Sequence, residues 1–334
     1  MVNFKNMTGI VMLTSVISYG IIFLILFMDN FNSVIETIAK SNVSYVALAY
    51  LTRVASLTLH ALTFWVLLKM FESRVSVLDT LKVTYVSIFL ELLVPIGGIT
   101  EVGKYYLLTK YRSVSPNQAI ASITLHRVIL SMTLFAFLMI AVRNLRFSTA
   151  YVMLMYIPAL ALILINLTLL LIPSSKRLED LVNKVLTKLK MEKVTLTESY
   201  VKTLTHIGIK PQYVVLAALV ALAERYVNAL HGIMLAYLIG ININLWQAII
   251  GFDSIYTIIW LYPIVTPGNV GIYELTQTGV LTLVGLSRSY SALLSVFTRV
   301  FLVIAEYPLF FLSALLIGVD MKSLVKDVRE MEAR

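Results

Sequence analysis

Val94-Pro95-Ile96-Gly97-Gly98-Ile99-Thr100-Glu101 interrupts one apolar run, and Thr266-Pro267-Gly268-Asn269-Val270-Gly271-Ile272-Tyr273-Glu274 interrupts another. Both stretches end Gly-x-x-Glu. Both are followed by an arginine deep in the next apolar segment, Arg127 and Arg299. An earlier pair, Arg53 and Arg225, precedes them. Arg53 and Arg225, Pro95 and Pro267, and Arg127 and Arg299 are each 172 residues apart, while Gly98 and Gly271, and Glu101 and Glu274, are 173 apart. Five pairs in one order at nearly one offset read as an internal duplication. Proline removes a backbone donor and glycine tolerates unusual backbone angles, so both stretches predict a broken helix. Pro95, Gly97 and Gly98 make the first break, and Pro267, Gly268 and Gly271 the second.

Around these breaks the chain is that of a membrane protein. Of 334 residues 59% are hydrophobic and only 13% charged, with mean hydropathy +0.87. A soluble domain carries about 25% charge. There is no cysteine, which excludes disulfides, iron–sulfur clusters and thiolate zinc sites. Net charge +9, gathered in the loops, reports orientation and attraction to anionic lipid rather than nucleic acid. Residues 1–334 read as one transmembrane domain, with repeat 1 at about 43–143 and repeat 2 at about 213–318.

Apolar segments fall at Thr8–Met28, Val43–Phe71, Leu78–Val94, Asn117–Val142, Tyr151–Ile172, Tyr213–Ile239, Leu245–Ile264, Ile272–Leu286 and Tyr290–Gly318. The first has no small-x-small cleavage site after it and reads as an uncleaved span. Glu101–Tyr111 reads as a helix too polar to cross lipid alone. Asn42-Val43-Ser44 is a formal glycosylation triplet. Pro308 predicts a kink in the last span. The interval 173–210 holds eight Lys/Arg, with leucines and valines at spacings of three and four, a basic amphipathic linker for the cytoplasmic surface. The tail is basic as well, so both termini are expected in the cytoplasm of a plasma-membrane protein.

Charge then constrains topology. Placing linker and tail on one side requires the second broken segment to enter and leave by one face. Applied to both copies, this gives six full spans plus two re-entrant hairpins, inverted relative to each other. Such folds place the substrate site where broken helices meet. Leu245–Ile264 is long enough to cross a bilayer, at about 1.5 Å per residue, so an eight-span arrangement stays open.

Arg127 and Arg299 lie about ten residues, or ~15 Å, into their helices. On the insertion scale each arginine facing lipid costs roughly 3 kcal/mol. The four must face carboxylates, the breaks or water. One reading pairs Glu101 with Arg127 and Glu274 with Arg299 simply to hold the breaks. A second has arginines converging on a phosphate, which guanidinium binds through two parallel hydrogen bonds. His60, His126 and His231 are candidates for proton relay. Glu91, Glu224, Asp253 and Glu306 are scattered acids; pairing of Glu224 and Glu306 with nearby arginines is the default reading, and a counter-ion or proton-coupling role the alternative. No metal-binding spacing is present.

Pro95…Gly98-Ile99-Thr100-Glu101, His126-Arg127, the stretch Pro267–Glu274 and Arg299 together resemble the transmembrane region of the lysylphosphatidylglycerol synthase family, over about residues 8–318. Related sequences often carry arginine shortly after the first glutamate, where Lys104 stands here. The resemblance implies movement of a lipid between leaflets, without the soluble domain that performs aminoacyl transfer. It extends the candidate substrates to polyprenyl-phosphate and glycolipid carriers. The resulting expectation is a non-enzymatic, flippase-like transporter of an anionic phosphate-bearing lipid, needing no cofactor or metal. Its substrate contacts would be Arg53, Arg127, Arg225, Arg299, Glu101, Glu274, Lys104 and His126. Two alternatives remain: an integral-membrane transferase on a lipid-linked phosphate, and a non-transporting partner of a membrane glycosyltransferase.

Overall fold

A computed structural model describes residues 42–93, 99–145, 149–171, 208–255 and 271–319, together with Ile21, Glu36, Ala39 and Asn269. The first expected span, the basic linker up to residue 207, the tail from 320, and Pro95, Gly97, Gly98, Pro267 and Gly268 lie outside those residues. The described elements are all helical: α1 Ser44–Met70, α2 Val77–Leu93, α3 Ile99–Tyr111, α4 Pro116–Leu145, α5 Thr149–Leu171, α6 Pro211–Leu238, α7 Leu245–Ala248, α8 Ile272–Leu283, α9 Arg288–Phe301 and α10 Tyr307–Ile317. Helix α7 continues into a π-helical turn, Ile249–Asp253, and a second π turn, Leu302–Glu306, joins α9 to α10.

Helix starts follow from local chemistry. Ser115 Oγ accepts from Gln118 N at 3.3 Å while Gln118 Oε1 accepts from Ser115 N at 3.4 Å, a reciprocal cap with Pro116 at the first helical position. The counterpart Ser287 Oγ accepts from Tyr290 N at 3.4 Å. From these caps run α4, 30 residues, and the α9–π–α10 helix, Arg288 to Ile317, of the same length. Arg127 and Arg299 are each the twelfth residue of their helix. Asn42 Oδ1 accepts from Ser44 N at 2.9 Å and so caps the start of α1.

Helices α1 and α6 form the most extensive packing in the molecule, and α2–α3 and α8–α9 form close pairs. Val77–Leu93 spans about 26 Å and Ile99–Tyr111 about 20 Å at 1.5 Å per residue, both short of the ~30 Å apolar core. Among the described residues four segments are long and apolar enough to cross it: Ser44–Met70, Pro116–Leu145, Tyr151–Thr168 and Pro211–Leu238. The outside is apolar: Met153, Ile157 and Leu164 on α5, Val215 and Leu219 on α6, and Phe311 and Leu315 on α10 are exposed. The inside holds Lys104, Glu224, Arg225, Asp253, Glu274 and Glu306. A belt of that size marks a surface covered by something other than water, here lipid tails. The chain is an all-α polytopic membrane protein.

The kink expected at Pro308 takes a specific form. Pro308 sits in the first turn of α10, where its missing N–H is harmless, and the π turn just before it absorbs the irregularity. Tyr106 is buried in the cluster of Phe64, Leu90 and Leu107.

Candidate functional site

The second break shows why Gly-x-x-Glu recurs. Gly271 stands immediately before α8 with φ 84°, a conformation that costs any residue with a Cβ. Glu274 is the third residue of α8, so its carboxylate reaches back over the helix start: Oε2 accepts from Gly271 N at 2.6 Å. Its other oxygen accepts from Arg299 Nε at 2.5 Å. One side chain thus satisfies an orphan helix donor and a buried cation together. Arg299 also lies 5.1 Å from the centre of the Tyr273 ring and reaches the carbonyl of Asn269 at 3.5 Å. In the first break Glu101 is likewise the third residue of its helix. Its Oε1 stands 3.6 Å from Arg127 Nε, a charge contact longer than a hydrogen bond.

The other two arginines meet at the α1–α6 packing seam. Arg53 on α1 donates through Nε to Glu306, the last residue of the second π turn. Its Nη1 donates to Asn228 Oδ1 of α6 at 3.0 Å. Asn228 Nδ2 in turn donates to Asp253 Oδ1 at 2.8 Å, and Arg225 Nη1 reaches the same oxygen at 3.5 Å. Asp253 is the last residue of the first π turn. Asn228 therefore joins two ion pairs into one chain, Glu306–Arg53–Asn228–Asp253–Arg225. Such turns recur where a helix must aim a side chain off the regular register. Close approach also matters here. A Cβ on Gly232 of α6 would stand 2.5 Å from the Phe252 ring, so this glycine lets the π turn lie against α6.

Every intramembrane arginine named from the sequence has a carboxylate partner. Four facing lipid would cost roughly 12 kcal/mol on the insertion scale, comparable to the whole net stability of a domain, about 5–15 kcal/mol. Arg53 and Arg225 share one network, and Arg299 adjoins it through Tyr273, which lines the same cavity as Arg53, Asn228, His231, Thr298 and Glu306. That cavity is about 20 Å³, room for one water. Arg127 is held in the first break by Glu101. Lys104 is 2% exposed, its ammonium 5.0 Å from the centre of the Phe64 ring. His126 is buried, its ring 4.8 Å from that of His60. His60 Nδ1 lies 3.2 Å from Glu224 Oε1, so Glu224 finds a histidine where an arginine was expected. His231 Nδ1 lies apart, 2.9 Å from the carbonyl of Ala49.

Asn228 was missed by sequence reasoning, and Asp253 and Glu306 were not ranked as site residues. A signal existed for part of this: Glu224, Arg225, Asn228 and His231 recur at helical spacing along one face of an otherwise apolar α6. Among the described residues no group of three or more His, Asp or Glu side chains is placed to hold a metal ion.

Comparison with curated proteins and with solved structures gives no match. A family model described as the lysylphosphatidylglycerol synthase TM region matches residues 11–307. That span takes in both breaks and all four paired arginines, and the chain belongs to this family of lipid-acting membrane proteins.

Proposed function

We propose that the protein moves an anionic, phosphate-bearing lipid between leaflets, a phospholipid or a polyprenyl-phosphate or glycolipid carrier. The observation that carries this is the Glu306–Arg53–Asn228 junction on the cavity wall. There a guanidinium is held by one carboxylate and one neutral amide, and a phosphate offers it a bidentate partner of the same charge as the carboxylate it replaces. Glu306 and Asp253 act as internal stand-ins for the head group. They neutralise the arginines between cycles and withdraw when the π turns shift.

The cavity is too small for a phosphate in the arrangement described, so this reading makes it the occluded arrangement between two open ones. The two breaks move against each other, as re-entrant hairpins of an inverted repeat, and expose the arginines to each leaflet in turn. Linker and tail stay on the cytoplasmic side of the plasma membrane. No chemical step on the lipid is required.

The test is lipid movement in proteoliposomes, using head-group-labelled phosphatidylglycerol and a polyprenyl phosphate as separate probes. Arg53→Ala is expected to slow movement by more than about tenfold, the cost of a single strong charge-assisted contact. If the wild-type protein moves neither probe, the reading fails.

A further inference from the structure

A second buried polar group, away from the arginine cavity, has no part in holding a phosphate. His60 lies seven residues beyond Arg53 on α1, about 10 Å further along the helix. Its imidazole meets Glu224 of α6 at 3.2 Å and stands edge-on to His126 of α4. Three elements thus bring two imidazoles and one carboxylate together inside the helix bundle. The group is incompletely satisfied. Among the described residues neither Glu224 Oε2 nor His126 Nε2 has a hydrogen-bond partner, although both are buried. Buried polar atoms of this kind are expensive to leave unmatched. Two buried atoms are thus left unmatched beside a histidine–carboxylate contact.

We propose that His60, Glu224 and His126 form one proton-binding site, and that its occupancy couples a proton to the lipid movement proposed above. With neutral imidazoles and an ionised Glu224 the three carry charge −1. One added proton brings them to zero. These groups have cations as charged neighbours. Lys104 of α3 and Arg225 of α6 act on both imidazoles, and Arg53 of α1 and Arg225 act on Glu224. The mechanical link is α6 itself. Glu224 is adjacent to Arg225 and one helical turn from Asn228, so a changed charge at Glu224 bears directly on the residues that hold Asp253 and Arg53. His231, hydrogen-bonded to Ala49, stands outside the site and serves as its internal control.

The coupling half rests on the transport reading; the binding half does not. The full-length protein, labelled with 15N-histidine in lipid nanodiscs, is titrated by NMR. His60 and His126 are expected to respond over one shared pH range, and Glu224→Gln to displace both by about one pH unit or more. His231 should be unmoved. If Glu224→Gln destabilises the fold, His126→Gln must displace His60 instead. Independent titration of the two rings, or indifference to both variants, overturns the site. In proteoliposomes an imposed pH gradient should accelerate wild-type lipid movement, and Glu224→Gln should lose that acceleration. A gradient without effect on active wild-type protein overturns the coupling. Failure to move any lipid sinks the transport reading while the titration still decides the site.

Discussion

The two breaks use the same letters to different degrees of closure. In the second, Glu274 is fully buried, and Arg299, 12% exposed, is held at 2.5 Å. A ring covers its guanidinium, and a backbone carbonyl backs it. In the first, Glu101 and Arg127 are 23% and 20% exposed and stand 3.6 Å apart. Thr100 takes the place that Tyr273 holds in the second break, and offers no ring. A duplicated motif has therefore become one tight latch and one loose one. Under the proposed transport, the loose latch belongs to the half expected to yield first.

The largest test of this contrast removes each glutamate's charge. Glu274→Gln removes the carboxylate that holds buried Arg299 and weakens the cap on Gly271. Breaking such a pair costs about 3–5 kcal/mol. Glu101→Gln removes a longer and more solvated contact, for which about 1 kcal/mol or less is expected. Thermal unfolding in detergent, followed by helix circular dichroism, should show a clear drop in Tm for the first and little for the second. Equal losses would erase the distinction between the latches.

Next in size is Gly271→Ala. The φ of 84° with ψ −49° lies where residues with a Cβ are strained, so about 1–3 kcal/mol of destabilisation is expected. The strain falls at the start of α8, and hydrogen exchange should localise it there, leaving α3 as protected as before. Exchange rising equally in both hairpins would mean that the second latch does not hold its own helix.

Much of this was legible beforehand because duplication makes a motif visible against its own copy. The four arginines and the Glu101–Arg127 and Glu274–Arg299 pairs follow from spacing alone. Helix limits fall within a few residues because apolar runs bounded by Pro, Ser and Gly leave little choice. The Arg53–Glu306 pair was not legible. Its partners are 253 positions apart, and Glu306 reaches its place through a π turn that has no local sequence signature. Asp253 was hidden for the same reason. Asn228 was hidden because a neutral amide in an apolar helix looks incidental until two charged partners converge on it. Lys104, read from the sequence as a substrate contact, is buried with its ammonium over the Phe64 ring.

Between these two scales lies Asn228→Leu. It removes the one group that joins the two ion pairs, and leaves Arg53 and Asp253 each short of a hydrogen bond. About 1–3 kcal/mol is expected. Coupling between Arg53→Ala and Asp253→Asn, measured as a double-mutant cycle, should shrink when Asn228 is gone. An undiminished coupling would show that Arg53 and Asp253 communicate by another route.

The smallest expected effect concerns the ring. Tyr273→Leu keeps the Glu274–Arg299 hydrogen bond and the helix cap, and removes only the aromatic face 5.1 Å from the guanidinium. A partly desolvated cation–π contact contributes about 0.5–2 kcal/mol. The loss in Tm should therefore be well below that of Glu274→Gln. The reciprocal change, Thr100→Tyr, puts a ring where the first break lacks one. If the ring is what separates the latches, Thr100→Tyr should tighten Arg127 and slow lipid movement, while Tyr273→Leu should loosen Arg299. If neither substitution alters the rate, the asymmetry resides in the carboxylate geometry alone, and the ring is only packing.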